Sequence, residues 1–137
     1  MILKIEAPES DYLFVQDSQL ENAGKGLFTA IAIYPNEVIS LFKGEILTAN
    51  EAQKRSSEGN DHYFINMLDG TIMDSMNVTC FAKYANDAQA FGKNGLKNNA
   101  KISLDDEDNI CLIAARRINP MEEIFCSYGA RYWKKFL

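Results

Sequence analysis

Histidine is nearly missing from this 137-residue chain, in which His62 is the only one. A histidine-rich metal site is thereby excluded. A Cys-His nucleophile pair stays open, with nothing else pointing to it. Cysteine is also scarce: Cys80, Cys111 and Cys126 make an odd number with no C-x-x-C spacing. They give neither a disulfide framework nor a zinc cluster, and they fit a reducing compartment. No apolar run approaches the ~20 residues that span a bilayer. The opening MILKIEAPESD has too short an apolar stretch, with acidic flanks, for a secretory signal. The expectation is an intracellular protein without a membrane partner. Basic residues are outnumbered, 14 Lys and Arg against 19 Asp and Glu, for a net charge of −5. Direct binding to nucleic acid, which demands basic patches, is not expected.

What remains is the composition of an ordinary globular protein, 47% hydrophobic and 24% charged, of a size for one domain. No repeat, low-complexity segment or linker divides it. The acidic run Asp105, Asp106, Glu107 and Asp108 would attract a basic peptide, or would serve equally as a solubilising hairpin tip.

The element pattern is mainly β with short helices. Residues 12–16 (YLFVQ) read as a first strand, and 17–26 as a polar loop ending in Gly24-Lys25-Gly26. Residues 34–36 make a turn, and 37–47 read as strands broken at Lys43-Gly44. Thr48 and Glu51 have capping-box spacing, which predicts a helix over 49–57 closed by Gly59 and Asn60. Asp69-Gly70 predicts a type I′ hairpin between 62–68 and 71–74. A short helix is expected within 77–84, a loop over 91–99, and a second hairpin from 101–104 to 110–115 across the acidic tip. Residues 118–120 turn the chain into a strand, 124–126, before Ser127-Tyr128-Gly129, and a short helix is expected over 130–137.

Three stretches carry chemistry: AGKGLFTA (23–30), NVTCFAKYANDA (77–88) and EEIFCSYGARYW (122–133). Glycine on both sides of Lys25 lets backbone come close to a ligand. Asn86 can both donate and accept, which suits the polar end of a cofactor, although Asn is equally a turn residue. Gly129 after Tyr128 permits a turn that leaves the tyrosine hydroxyl at a strand end.

In order and spacing these stretches resemble the SET domain, the protein-lysine methyltransferase fold, over about residues 17–133, with 130–137 as a C-terminal tail. The resemblance implies one domain of several small sheets, its C-terminal segment threaded under an earlier loop beside Asn86-Asp87. It implies S-adenosylmethionine as cofactor and no metal. Backbone groups of Lys25, Gly26 and Leu27 would hold the methionine end, and the Tyr63 hydroxyl would face the carboxylate. Asn86 and Asp87 would read the polar end and the adenine, and Trp133, Tyr132 or Phe136 would cover the adenine. Tyr128 would be the catalytic residue that orients the reacting centre. With Phe42 and Cys126 it would line the substrate lysine channel, whose lack of other hydroxyls implies a di- or trimethylated product. The helix at 49–57 would belong to the insert that shapes substrate binding.

The chain departs from the family pattern at Lys83, Asp87, Ala88 and Ser127. Three functions follow as expectations. The first is methylation of lysine in a basic protein tail such as a histone's, in cytoplasm or in a nucleus, a host's included. The second is methylation of a non-histone target such as a ribosomal protein. The third is a SET-like module that has lost catalysis and binds a lysine-bearing partner.

Overall fold

Strand β9, Ile110–Ala114, is buried at every position. Its unbroken apolar run, ICLIA, fits a strand covered on both faces. In the computed structural model, which describes residues 2–67, 69–89 and 95–127, β9 lies inside a four-stranded sheet ordered β1-β4-β9-β8. Its partners are β1 (Leu3–Lys4), β4 (Glu37–Leu41) and β8 (Ala100–Leu104). A second sheet runs β10-β3-β2, from Glu123–Ile124, Lys25–Thr29 and Leu13–Asp17, and a third runs β5-β7-β6, from Glu45–Leu47, Ile72–Asp74 and Phe64–Asn66. The fold is therefore the expected one of several small sheets with few helices. Leu27, Ile33, Ile39, Ile65, Leu112, Ile118 and Ile124 fill the core between the sheets.

Local chemistry accounts for most boundaries. Helix α2, Ala49–Ser57, starts at a complete capping box: the Thr48 hydroxyl accepts from the Glu51 N–H, and the Glu51 carboxylate accepts from the Thr48 N–H. The 100–114 hairpin closes over Asp105, whose carboxylate accepts from the N–H groups of Glu107 and Asn109.

Four expectations shift. The strand expected from residue 12 is β2 and starts at Leu13, after a β1 that the sequence did not suggest, because Tyr12 ends a helical turn, α1 (Glu9–Tyr12), and gives its hydroxyl to the Ile39 carbonyl at 2.7 Å. The polar loop is shorter than 17–26, since Asp17 pairs with Lys25 and Gln16 with Gly26 at the mouth of the β2–β3 hairpin. The hairpin at Asp69-Gly70 is closed by Met67 and Thr71, with the Gly70 N–H on the Met67 carbonyl and Gly70 at φ 97. That wider loop is not the two-residue type I′ turn. The helix expected within 77–84 contracts to a 3-10 turn, Ala82–Tyr84. Asn77, Val78 and Thr79 are weak helix formers, and the Lys83 ammonium takes the carbonyls of Ser75, Met76 and Val78.

The C-terminal segment passes between two other stretches. Ile124 pairs with Leu27 of β3. Beyond it, Phe125 turns its backbone toward Asn99 and Ala100, both of which donate to its carbonyl at 3.0 Å. Cys126 turns the other way and donates to the Asn86 carbonyl at 2.9 Å. Alternating sides is what an extended strand does; here it sews 123–127 to both ends of the 86–99 connection. The helix expected at 130–137 lies outside the described residues.

Candidate functional site

Three backbone stretches meet at Asn86. Its side-chain amide donates to the Lys25 carbonyl at 2.9 Å, and its own carbonyl accepts from Cys126. With only 6% of its surface exposed, Asn86 joins the start of β3 to the strand that runs into Tyr128. The residues that join are 61 positions apart in one contact, so the three sequence stretches are brought together by the fold alone.

At the start of β3, Gly24 adopts φ +73 and has open space where a side chain would begin. Gly26 differs. A Cβ there would collide with the Glu123 carboxylate and lie 3.2 Å from the Ser18 Cα. Its missing side chain makes room for Glu123, and not for a ligand. Glu123 is fully buried. Its carboxylate accepts from the Ser18 hydroxyl at 2.6 Å and the Gln19 N–H at 2.8 Å, fixing the 18–24 loop from below. Lys25 points outward and pairs with Asp17 at 2.7 Å. Hydrogen bonding and charge from Lys25 hold the Asp17 carboxyl below its ordinary value. Leu27 is completely buried in the core, in the central strand of its sheet between Val15 and Ile124.

Two of the departures share a partner. The Asp87 carboxylate accepts from the Gln89 N–H and from the Asn98 amide, while the Ala88 N–H donates to the Asn98 carbonyl oxygen at 2.9 Å. The neighbouring Asn99 is fully buried. Its amide donates to the Glu123 carbonyl, and its oxygen accepts from the Phe125 N–H, each at 2.9 Å. Asn98 and Asn99 thus tie the connection to the strand threaded beneath it.

Lys83 is held by three carbonyls and lies 5.3 Å from the ring centres of both Tyr63 and Tyr84. Tyr63 is therefore placed against Lys83, half-buried, just ahead of β6. Phe42 and Cys126 belong to one buried cluster, 5% and 0% exposed. Tyr128, Trp133, Tyr132 and Phe136 lie outside the described residues. The open Cys-His alternative is not assembled, because His62 is exposed while all three cysteines are buried. Burial first, and the Asp105 charge second, push the Cys111 thiol up to about 12. Among the described residues no three His, Cys, Asp or Glu side chains gather as a cation site, and no helix is long and apolar enough to cross a membrane.

Sequence reasoning quoted Glu123 within its motif without seeing its task, and missed Asn98 and Asn99 altogether. The available signs were an acid heading the apolar run Ile124-Phe125, and an Asn pair immediately before an apolar strand.

Comparison with solved structures finds a humanized mutant of the Chaetomium thermophilum Polycomb Repressive Complex 2 bound to the inhibitor GSK343. The two share 25% identity at a TM-score of 0.72, over 88% of this chain and 15% of that one. The same complex bound to GSK126 matches with a TM-score of 0.71 at the same identity and coverage. This chain thus spans about 15% of the length of those chains. The SET-domain family model matches residues 24–129. The chain belongs to the SET-domain family, whose members are S-adenosylmethionine-dependent lysine methyltransferases.

Proposed function

We propose that this chain is a protein-lysine methyltransferase acting on a basic protein, with S-adenosylmethionine as methyl donor. The observation that carries the reading is the junction at Asn86, which ties the glycine-flanked start of β3 to the strand leading to Tyr128.

The residues fit the cofactor. Open space over Gly24 admits a ligand against the backbone of Lys25, Gly26 and Leu27. The buried Asn86 amide offers donor and acceptor chemistry next to it. Asp87 would contribute its backbone, and Trp133 and Tyr63 would close the adenine and carboxylate ends. When bound, S-adenosylmethionine supplies an electrophilic methyl carbon on a positive sulfonium.

The chain's own part is alignment and dehydration. Holding nitrogen, carbon and sulfur in line is worth roughly 7–11 kcal/mol at best. A lysine amine, with an ordinary pKa of about 10.4, must also arrive neutral. Phe42 and Cys126 are buried in one apolar cluster; a lysine channel opening past them would disfavour the ammonium by desolvation, and a bound sulfonium would add like-charge repulsion. Tyr128 orients the amine, and no general base is required. Because neither Phe42 nor Cys126 carries a hydroxyl to restrain a methylated nitrogen, the product is di- or trimethyl-lysine.

The net charge of −5 supports a basic substrate; a histone tail is one candidate and a ribosomal protein another. Activity on histone would put the chain in a nucleus, the host's included, and activity on ribosomal protein in cytoplasm. The test is calorimetry with S-adenosylmethionine, followed by labelled methyl transfer into a host lysate and identification of the labelled proteins. Tyr128→Phe is expected to keep cofactor binding and lose most turnover. Near-full activity in that variant would remove Tyr128 from its role. No cofactor binding at millimolar concentration would leave a binding module in place of an enzyme.

A further inference from the structure

Where the N-terminal segment crosses β4, three clefts join end to end. The first, about 380 Å³, has a floor that includes Ile5, Tyr12, Val38 and Ile39, and one wall is the hairpin tip from Asp105 to Asn109. It shares Ala7, Glu9 and Leu41 with a second cleft. The second shares Thr79, Cys80 and Phe81 with a third, which ends on Lys83 and Tyr84. The groove therefore runs from the acidic tip to the margin of the Asn86 junction. None of Lys25, Gly26, Leu27, Tyr63, Asn86, Asp87, Phe42 and Cys126 lines it, so it is separate from the candidate cofactor and lysine sites.

Its charge is one-sided at the tip. Glu9, Asp105, Asp106 and Glu107 line the first cleft against one ammonium, that of Lys4. Glu9 accepts from the Ser40 hydroxyl at 2.5 Å and the Leu41 N–H at 3.1 Å, and Asp105 from N–H groups of Glu107 and Asn109. These donors are neutral, so they orient the carboxylates without cancelling their charge. Asp106 and Glu107 are exposed, and their carboxylates enter none of the ion pairs of the described residues. At the floor, Tyr12 is raised above its ordinary value by burial first and then by the charges of Glu9 and Glu37.

Lys43 and Lys83 line the second and third clefts, so it is the first cleft, an apolar floor under a negative rim, that complements an extended chain alternating cationic and apolar side chains. The backbone is arranged for one as well. Strand β1 forms an edge of its sheet, with the Leu3 N–H turned inward to the Asn36 carbonyl. The next residue of an extended strand faces outward, where a further strand can pair.

We propose that this groove docks a lysine- or arginine-rich extended segment of the protein substrate, remote from the lysine that is methylated. The proposal rests on the reading of the chain as acting on a basic protein, but docking itself needs no turnover. Attraction between exposed charges speeds encounter and weakens with salt.

The test is an NMR titration of the ¹⁵N-labelled chain with a short peptide of alternating lysine and leucine, beside calorimetry with S-adenosylmethionine. Amide shifts are expected along residues 5–12, 38–41 and 105–109, and a glutamate–leucine peptide should produce none. Joint Asp106→Lys and Glu107→Lys substitution should weaken the basic peptide about tenfold and leave cofactor affinity unchanged. Shifts confined to other surfaces, or an affinity untouched by the double variant, would overturn the docking site. So would concentration-dependent shifts of the same amides without peptide, which would mark a second copy as the occupant. Cofactor binding without groove shifts refutes the groove alone, and groove shifts without cofactor binding refute the enzyme alone.

Discussion

Two regions of this molecule are fastened by polar side chains, one through an ion pair and the other through amides and a carboxylate held by neutral donors. The sheet β5-β7-β6 is held to α2 by charge: the Arg55 guanidinium reaches Asp74 at 2.8 Å and Glu45 at 3.1 Å, with Asp74 fully buried. The threaded strand is held by the neutral amides of Asn86 and Asn99, and by a carboxylate, Glu123, whose partners are a hydroxyl and an N–H. The charged clamp spans at most 19 positions of sequence; the Glu123 contact spans 105. The difference separates duties. A partly exposed ion pair holds α2 against its sheet, and it responds to salt and acid. The clamp on the threaded strand is buried, and its one carboxylate is held by neutral donors from the 18–24 loop, so its hydrogen bonds are shielded from salt.

The comparison is broken most severely at Gly26. Gly26→Ala must expel the Glu123 carboxylate from its pocket, at a cost on the order of 3 kcal/mol or more from overpacking and lost partners. Chemical denaturation should show it, and a second change, Glu123→Ser, should recover part of the loss by clearing the space. If Gly26→Ala is tolerated, the carboxylate is not what the glycine accommodates. Next is Asn99→Ala, which strands the Phe125 N–H and the Glu123 carbonyl. The expected loss is roughly 2–4 kcal/mol, accompanied by weaker cofactor binding. Equal stability with intact binding would show that the thread is held elsewhere.

Arg55→Ala should lower the melting temperature by roughly 5 °C while sparing cofactor affinity, because its ion pairs reach only Glu45 and Asp74. The effect carries a pH sign. A hydrogen bond from Arg55, opposed by partial burial, keeps Glu45 below its ordinary value of 4.5. A carboxyl depressed in the folded state contributes stability that is present above 4.5 and is lost as pH falls through its lowered value. The gap in melting temperature between parent and variant should therefore narrow in acid; a gap that widens would contradict the pairing. The smallest effect is Thr48→Ala, which removes one cap and should cost about 1 kcal/mol. Hydrogen exchange would be expected to show faster opening of α2 alone.

This ordering also describes what a sequence displays. Helix α2 was legible to the residue, since Thr48 and Glu51 stand one turn apart and hydrogen-bond within that turn. The 100–114 hairpin and the break at Lys43-Gly44 were legible for the same reason. The contraction of the 77–84 helix was not, because it depends on an ammonium that reaches back to three carbonyls. The threading came only from the family resemblance, since hydrophobic patterning says nothing about which strand passes under which loop. Asn86 could be singled out by its motif, whereas Asn98 and Asn99 look like loop residues until their partners at 87, 88, 123 and 125 are brought alongside. That the space beside Gly26 is filled by the Glu123 carboxylate could not be read from the glycine spacing, because the two residues are 97 positions apart.

Glu123 also sets a timetable. During synthesis the 18–24 loop emerges early, yet the carboxylate that fixes it arrives 105 residues after Ser18. Until that strand has been made and drawn past Asn99, β3 lacks one neighbour and Asn86 has no Cys126 N–H to receive. Contacts of such long sequence separation form slowly, because chain closure precedes any gain from them. Local elements such as α2 and the 100–114 hairpin can form before residues 123–126 are made; the Asn86 junction cannot. A growing chain therefore carries an unfinished junction until residues 123–126 have joined Ser18, Asn86 and Asn99.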